Sequence, residues 1–174
     1  MKIDEECIQI IALRQPTASD LRLVTVILKI ITDLERIGDE AYNIANKAIN
    51  LSDIDGSKKN YRQLSALGKH VRGMLGNALD AFARLDVEAS LAVAREEKEV
   101  EEEFESFMRT MITYMMEDPR TISRVLDLIW SARSLERIGD HAKNVCEYVI
   151  YLVEGKDVRH LSVDSIEEIL KDKA

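Results

Sequence analysis

The hexapeptide Leu34-Glu35-Arg36-Ile37-Gly38-Asp39 is written a second time as Leu135-Glu136-Arg137-Ile138-Gly139-Asp140. The likeness runs on at the same offset, pairing Ala41 with Ala142 and Asn43 with Asn144. Each copy sets a glycine among residues of helical spacing, and a glutamate and an aspartate four apart. At that spacing both carboxylates share one helix face. Like charges so placed cost a helix about 0.2–0.5 kcal/mol. An interior glycine costs about 1 kcal/mol relative to alanine. Arg36 and Arg137 are placed to offset part of the repulsion through i, i+3 contacts with Asp39 and Asp140. A locally unfavourable pattern written twice calls for something that repays it.

Working outward, apolar residues recur at intervals of three and four, with no sustained alternation of a strand. Residues 1–14 read as a helix ended at Gln15-Pro16, because the residue before proline is pushed out of the helical region. Thr17 to Asp20 matches a capping box and opens a second helix to about Leu51, roughly 50 Å long. Residues 52–60 read as a loop, with Ser52 to Ser57 rich in turn formers. A third helix from Tyr61 to about Leu85 is softened by Gly68, Gly73 and Gly76. Asp86 can cap a fourth helix, Val87 to about Met116. Asp118-Pro119 opens a fifth, which Gly155 stops after Val153. Residues 154–174 form a tail or a short helix. The fold class is all-α, an internally duplicated three-helix bundle. Residues 61–153 hold a complete second repeat, and residues 1–51 an incomplete first one, short at its N-terminus.

Composition supports a soluble globular class: 46% hydrophobic and 32% charged residues, with only two prolines in 174. A net charge of −8 and a pI near 5.0 argue against nucleic-acid binding, which needs a basic stripe. No apolar run approaches the roughly 20 residues that span a bilayer. The acidic start, Met1 to Glu6, does not resemble a signal peptide. Cys7 and Cys146 lack metal-ligand spacing and read as buried reduced thiols. These features suit a cytoplasmic protein.

The carboxylates continue apolar stripes: Leu21, Leu28 and Glu35 fall seven apart, as do Ile122, Ile129 and Glu136. Charge in line with a core face is costly unless paired, so a cation is expected there. Helices four and five should form an antiparallel hairpin about Asp118-Pro119. The pairs Glu101/Glu136 and Glu97/Asp140 are both centred on that turn, so four carboxylates should meet at one height. An oxygen-only cluster suits Mg, Ca, Mn or iron better than a soft-ligand metal. Partners for Glu35 and Asp39 would precede residue 1, leaving the first site half formed. The apolar face of residues 21–51 is then expected to drive self-association. Di-iron bundle enzymes use Glu-x-x-His, whereas Gly139 stands three after Glu136. His141, about 100° from Asp140 around the helix, reads as a surface residue or one behind the ligands. His70 and His160 carry no signal. Two other readings are open: a carboxylate-bridged di-metal enzyme, and a plain helical scaffold without metal.

Residues Ile10 to Leu23, the paired hexapeptides and Tyr114 to Ile122 together resemble the PhoU family of bacterial phosphate-uptake regulators. The resemblance covers nearly all of residues 3–161. It implies a duplicated three-helix-bundle fold and homodimers or larger oligomers. It also implies multinuclear iron, zinc or other divalent-metal clusters at Glu35, Asp39, Glu136 and Asp140. The family's acidic pair on the preceding helix maps to Glu97 and Glu101, where aspartate is more usual. The implied role is negative regulation of phosphate uptake and of the phosphate-starvation response, through contacts with the phosphate ABC transporter and a membrane-bound sensor histidine kinase. Catalysis is not expected, and the membrane is approached only through those partners.

Overall fold

With so few residues that punctuate a helix, the chain builds long ones. The computed structural model describes residues 2–52, 58–159 and 161–171. Their order is α1 Lys2–Arg14, α2 Ala18–Ser52, α3 Lys58–Arg84, α4 Val87–Glu117, a 3₁₀ turn at Pro119–Thr121, α5 Ile122–Glu154 and α6 Val163–Lys171. No strand occurs among the described residues. Ser52 belongs to α2 and α3 begins at Lys58, so the loop is shorter than its sequence suggests. The rest of that loop, residues 53–57, lies outside the described residues, as does His160.

Local chemistry sets the turns. Asp86 caps α4, its Oδ1 accepting from the Ala89 N–H at 2.9 Å. Just before it, Leu85 takes a left-handed conformation (φ 53°), and the Asp86 N–H donates to the Ala81 carbonyl at 2.9 Å. Asp118 serves two elements. Its N–H donates to the Tyr114 carbonyl at the end of α4, and its Oδ1 accepts from the Arg120 N–H. The proline turn takes three residues before α5 proper begins at Ile122. Gly155 ends α5 at φ 73°. A side chain there would strike the Arg22 guanidinium, 2.8 Å from the Cβ position. That guanidinium donates to the Leu152 carbonyl and so ties the start of α2 to the end of α5.

The main core lies between α3, α4 and α5, around Val71, Met74, Val100, Met111, Leu128 and Ala142, all buried. α2 makes its most extensive contact along α5 and runs antiparallel to it, since Arg22 meets Leu152 while Lys47 meets Asp127. Val26, Ile30 and Val145 form a smaller core in that seam, with Phe82 and Tyr148 against it. Val158 and Ile166 hold the C-terminal segment on Ile150, Val87 and Leu91. α1 packs on α2 by burying Cys7, while Ile3, Ile8 and Leu13 are exposed. Both cysteines are free and buried, as expected. Among the described residues no helix is long and apolar enough to cross a membrane.

Candidate functional site

The glycine of the second hexapeptide has a packing reason. A Cβ on Gly139 would stand 3.3 Å from Val100 Cγ1 and 3.8 Å from Met74 Sδ, so its absence lets α3 and α4 close onto α5 there. That approach brings the acids of α4 to the motif's level. Burial pushes the Glu136 carboxyl above its ordinary range, and the charges of Asp140, Glu101 and Glu97 push it further. Asp140 is raised too, first by burial and then by Glu97. Glu136 thus feels the charges of Asp140, Glu101 and Glu97, and Asp140 that of Glu97.

Basic side chains meet this charge first. Arg133 Nη1 lies 2.7 Å from Glu136 Oε1, and Lys143 Nζ donates to Glu97 Oε2 at 2.9 Å. Glu136 Oε2 is left buried with no hydrogen-bond partner. Among the described residues, no three His, Cys, Asp or Glu side chains come close enough to hold a metal ion. The donor set fits a hard cation in kind, being all carboxylate, with one orphaned oxygen. To coordinate it, Glu97 and Glu136 would turn away from Lys143 and Arg133.

The first copy differs. Glu35, Gly38 and Asp39 are exposed, and a Cβ on Gly38 would meet nothing within 4 Å. The stripe expected to lead Glu35 into a core instead opens outward, with Leu21 41% exposed. On α5 the stripe also starts at the surface, Ile122 being 42% exposed, and sinks only towards Glu136. The structure does not bring Glu35 and Asp39 to Glu136 and Asp140. The first pair faces solvent from α2, and the second faces the acids of α4.

One sequence expectation is corrected and another narrowed in the α2–α5 seam. Arg137 reaches across it, its Nη1 2.8 Å from Glu40 Oε1 on α2, instead of bridging to Asp140. His141 is buried, which removes the surface reading and leaves the one behind the ligands standing, and its Nδ1 lies 2.7 Å from Asp33 Oδ1. Asn144 donates to the same oxygen at 3.1 Å. A signal for these contacts exists: Asp33 and Glu40 sit at three- and four-residue steps from Ile30 and Ile37, on α2's buried stripe. His70, which carried no signal, places its two ring nitrogens 3.2 Å from Glu96 and 3.0 Å from Glu103, linking α3 to α4.

Comparison with known families settles the lineage. The PhoU domain profile matches residues 1–48 and 64–149. The chain belongs to the PhoU family. It is 54% identical over 166 residues to the phosphate-specific transport system accessory protein PhoU homolog of Pseudomonas aeruginosa, covering 95% of this chain and 69% of that protein. Against the accessory protein PhoU of Escherichia coli K12, identity is 48% over 171 residues, 98% of this chain and 70% of the relative. The crystal structure of PhoU from Pseudomonas aeruginosa superposes with a TM-score of 0.86, covering 89% of this chain and 74% of that one. The phosphate transport system regulatory protein PhoU of Streptococcus pneumoniae, 28% identical, gives 0.80 over 89% of this chain and 72% of that one. This PhoU chain thus spans about two thirds to three quarters of its relatives' length.

Proposed function

We propose that this PhoU chain is a non-catalytic accessory of a phosphate transport system that restrains phosphate uptake and starvation signalling when phosphate is plentiful. The observation that carries the role is identity of about half, over nearly the whole chain, to relatives named as phosphate-specific transport system accessory proteins. In this reading the protein acts in the cytoplasm as an adaptor between the phosphate ABC transporter and a sensor histidine kinase. The carboxylates of the second repeat hold an iron, zinc or other divalent ion. Glu136 and Asp140 are its first ligands, with Glu97 and Glu101 supplied from α4. Supporting this are the raised carboxyls of Glu136 and Asp140 and the orphaned Glu136 Oε2, which a cation would satisfy. Glu35 and Asp39 would bind through the same chemistry only with further acids from outside the described chain. A bound ion would supply positive charge that fixes α4 against α5 and shapes the surface presented to partners.

The test is a double variant, Glu136→Gln with Asp140→Asn, compared with the native protein by elemental analysis and in cells carrying a phosphate-starvation reporter. Native protein should retain metal and silence the reporter in rich phosphate. The variant should lose most of the metal and part of the silencing. Equal metal content in the two would remove the site assignment, and a native chain that never silences the reporter would remove the regulatory role.

A further inference from the structure

Along the seam between α2 and α5 lies a cleft of about 330 Å³. Asn43, Asn46 and Lys47 line it from α2, and Trp130, Arg133 and Arg137 from α5. Its volume is at the lower end of small-ligand sites, about 300–1,000 Å³. Three cations face one acid there, Glu40, in a chain whose net charge is −8. Glu40 is buried and holds Arg137 in place at 2.8 Å. The acids that pair with Lys47 and Arg133, namely Asp127 and Glu136, are not part of the lining. Arg133 and Arg137 each engage their acids through Nη1, and Arg133 also stands over the Phe104 ring at 5.7 Å, which leaves the in-plane N–H groups of both guanidinium forks as further donors. Trp130 is 58% exposed, a large flat ring in contact with solvent at the cleft's edge.

These groups suit different parts of one ligand. Guanidinium forks grip phosphate oxygens, and an indole face stacks on a nucleobase. The Asn46 amide matches the N6/N7 edge of adenine, whereas Asn43 donates to Glu40 Oε2 at 3.4 Å. Inorganic phosphate would use the cations and ignore Trp130, and an apolar ligand would use Trp130 and ignore the guanidinium N–H groups. We propose that the cleft binds an adenine nucleotide, its phosphates on Lys47, Arg133 and Arg137 and its ring against Trp130. The inference goes beyond the regulatory reading and does not rest on metal at the carboxylates. Because the cleft is walled by both motif-bearing helices, its occupant would bridge the two repeats.

Trp130 is the only tryptophan of the chain, so its emission reports on the site directly. The native protein is titrated with AMP, ADP, ATP, adenosine and inorganic phosphate, with and without EDTA, and binding is repeated by calorimetry. A saturable quench by the nucleotides, stronger than by adenosine or phosphate and unchanged by EDTA, is the expected result. In calorimetry Trp130→Ala and Asn46→Asp, both at exposed positions with helicity checked by circular dichroism, should each weaken nucleotide binding at least about fivefold. No saturable binding at millimolar nucleotide, equal binding by inorganic phosphate, loss of the quench with EDTA, or unchanged affinity in both folded variants would overturn the proposal.

Discussion

Glu136 and Glu35 sit in identical hexapeptides and meet opposite surroundings. One is half-buried among acids and bases against the body of α4, and the other faces outward from α2. The glycines beside them diverge likewise: Gly139 permits a 3.3 Å approach, whereas Gly38 permits nothing visible within 4 Å. Within the second repeat, burial also acts on Glu147, which is 7% exposed and whose carboxyl is pushed up to about 7. In the unfolded chain that group titrates near 4.5. Below that pH it is protonated in both states and burial costs nothing. Between about 4.5 and 7 the fold retains a proton that the unfolded chain has lost, so stability falls as pH rises. Above 7 the penalty is constant. Glu147→Gln removes it, and the variant should exceed the parent by about 1–3 kcal/mol at pH 8, with the gap closing by pH 4. Urea unfolding at several pH values checks this, and a pH-independent gap would contradict it. The acid pairs were legible in the sequence because repetition at fixed offset singles them out. The burial of Glu147 was not, since nothing in its local pattern says that the C-terminal segment folds over that face.

At the scale of elements, the turns were the most readable parts. Proline, Asp86 and Gly155 each impose a backbone geometry that few alternatives satisfy, and the helix ends fall within a few residues of them. The α2–α5 seam was less readable, because polar side chains make much of it. Asp33, Glu40, Arg137 and His141 look like surface residues until the helices are set side by side. Removing one partner of such a pair strands the other: Glu40 keeps only 8% of its side chain exposed, while Arg137 is half in water. Arg137→Ala should therefore cost about 1–3 kcal/mol, less than a fully buried pair. Glu40→Gln in the same chain should recover part of the loss. A double-mutant cycle by chemical denaturation reads the coupling, and additive effects would mean that the contact contributes nothing.

For the whole molecule, duplication was legible and its consequence for the exposed surface was only partly so. The second repeat closes its core with α3 and α4, but no described helix covers the equivalent face of α2. Leu13, Tyr42 and Ile49 are 81%, 69% and 67% exposed, with Ile3 and Ile8 at 55% and 56%. Apolar surface on this scale favours association. Sedimentation at micromolar concentration should show a dimer or larger species, and Ile8→Glu with Leu13→Glu should shift it towards monomer. A monodisperse monomer of the parent chain would refute this. The two Glu-Asp pairs also differ in what salt does to them. Glu35 and Asp39 stand in open solvent, where dissolved ions mute a charge within about 8 Å. Glu136 is pressed by burial and by the acids of α4, where such muting is weaker. A change in ionic strength would therefore speak to the first copy and leave the second nearly deaf.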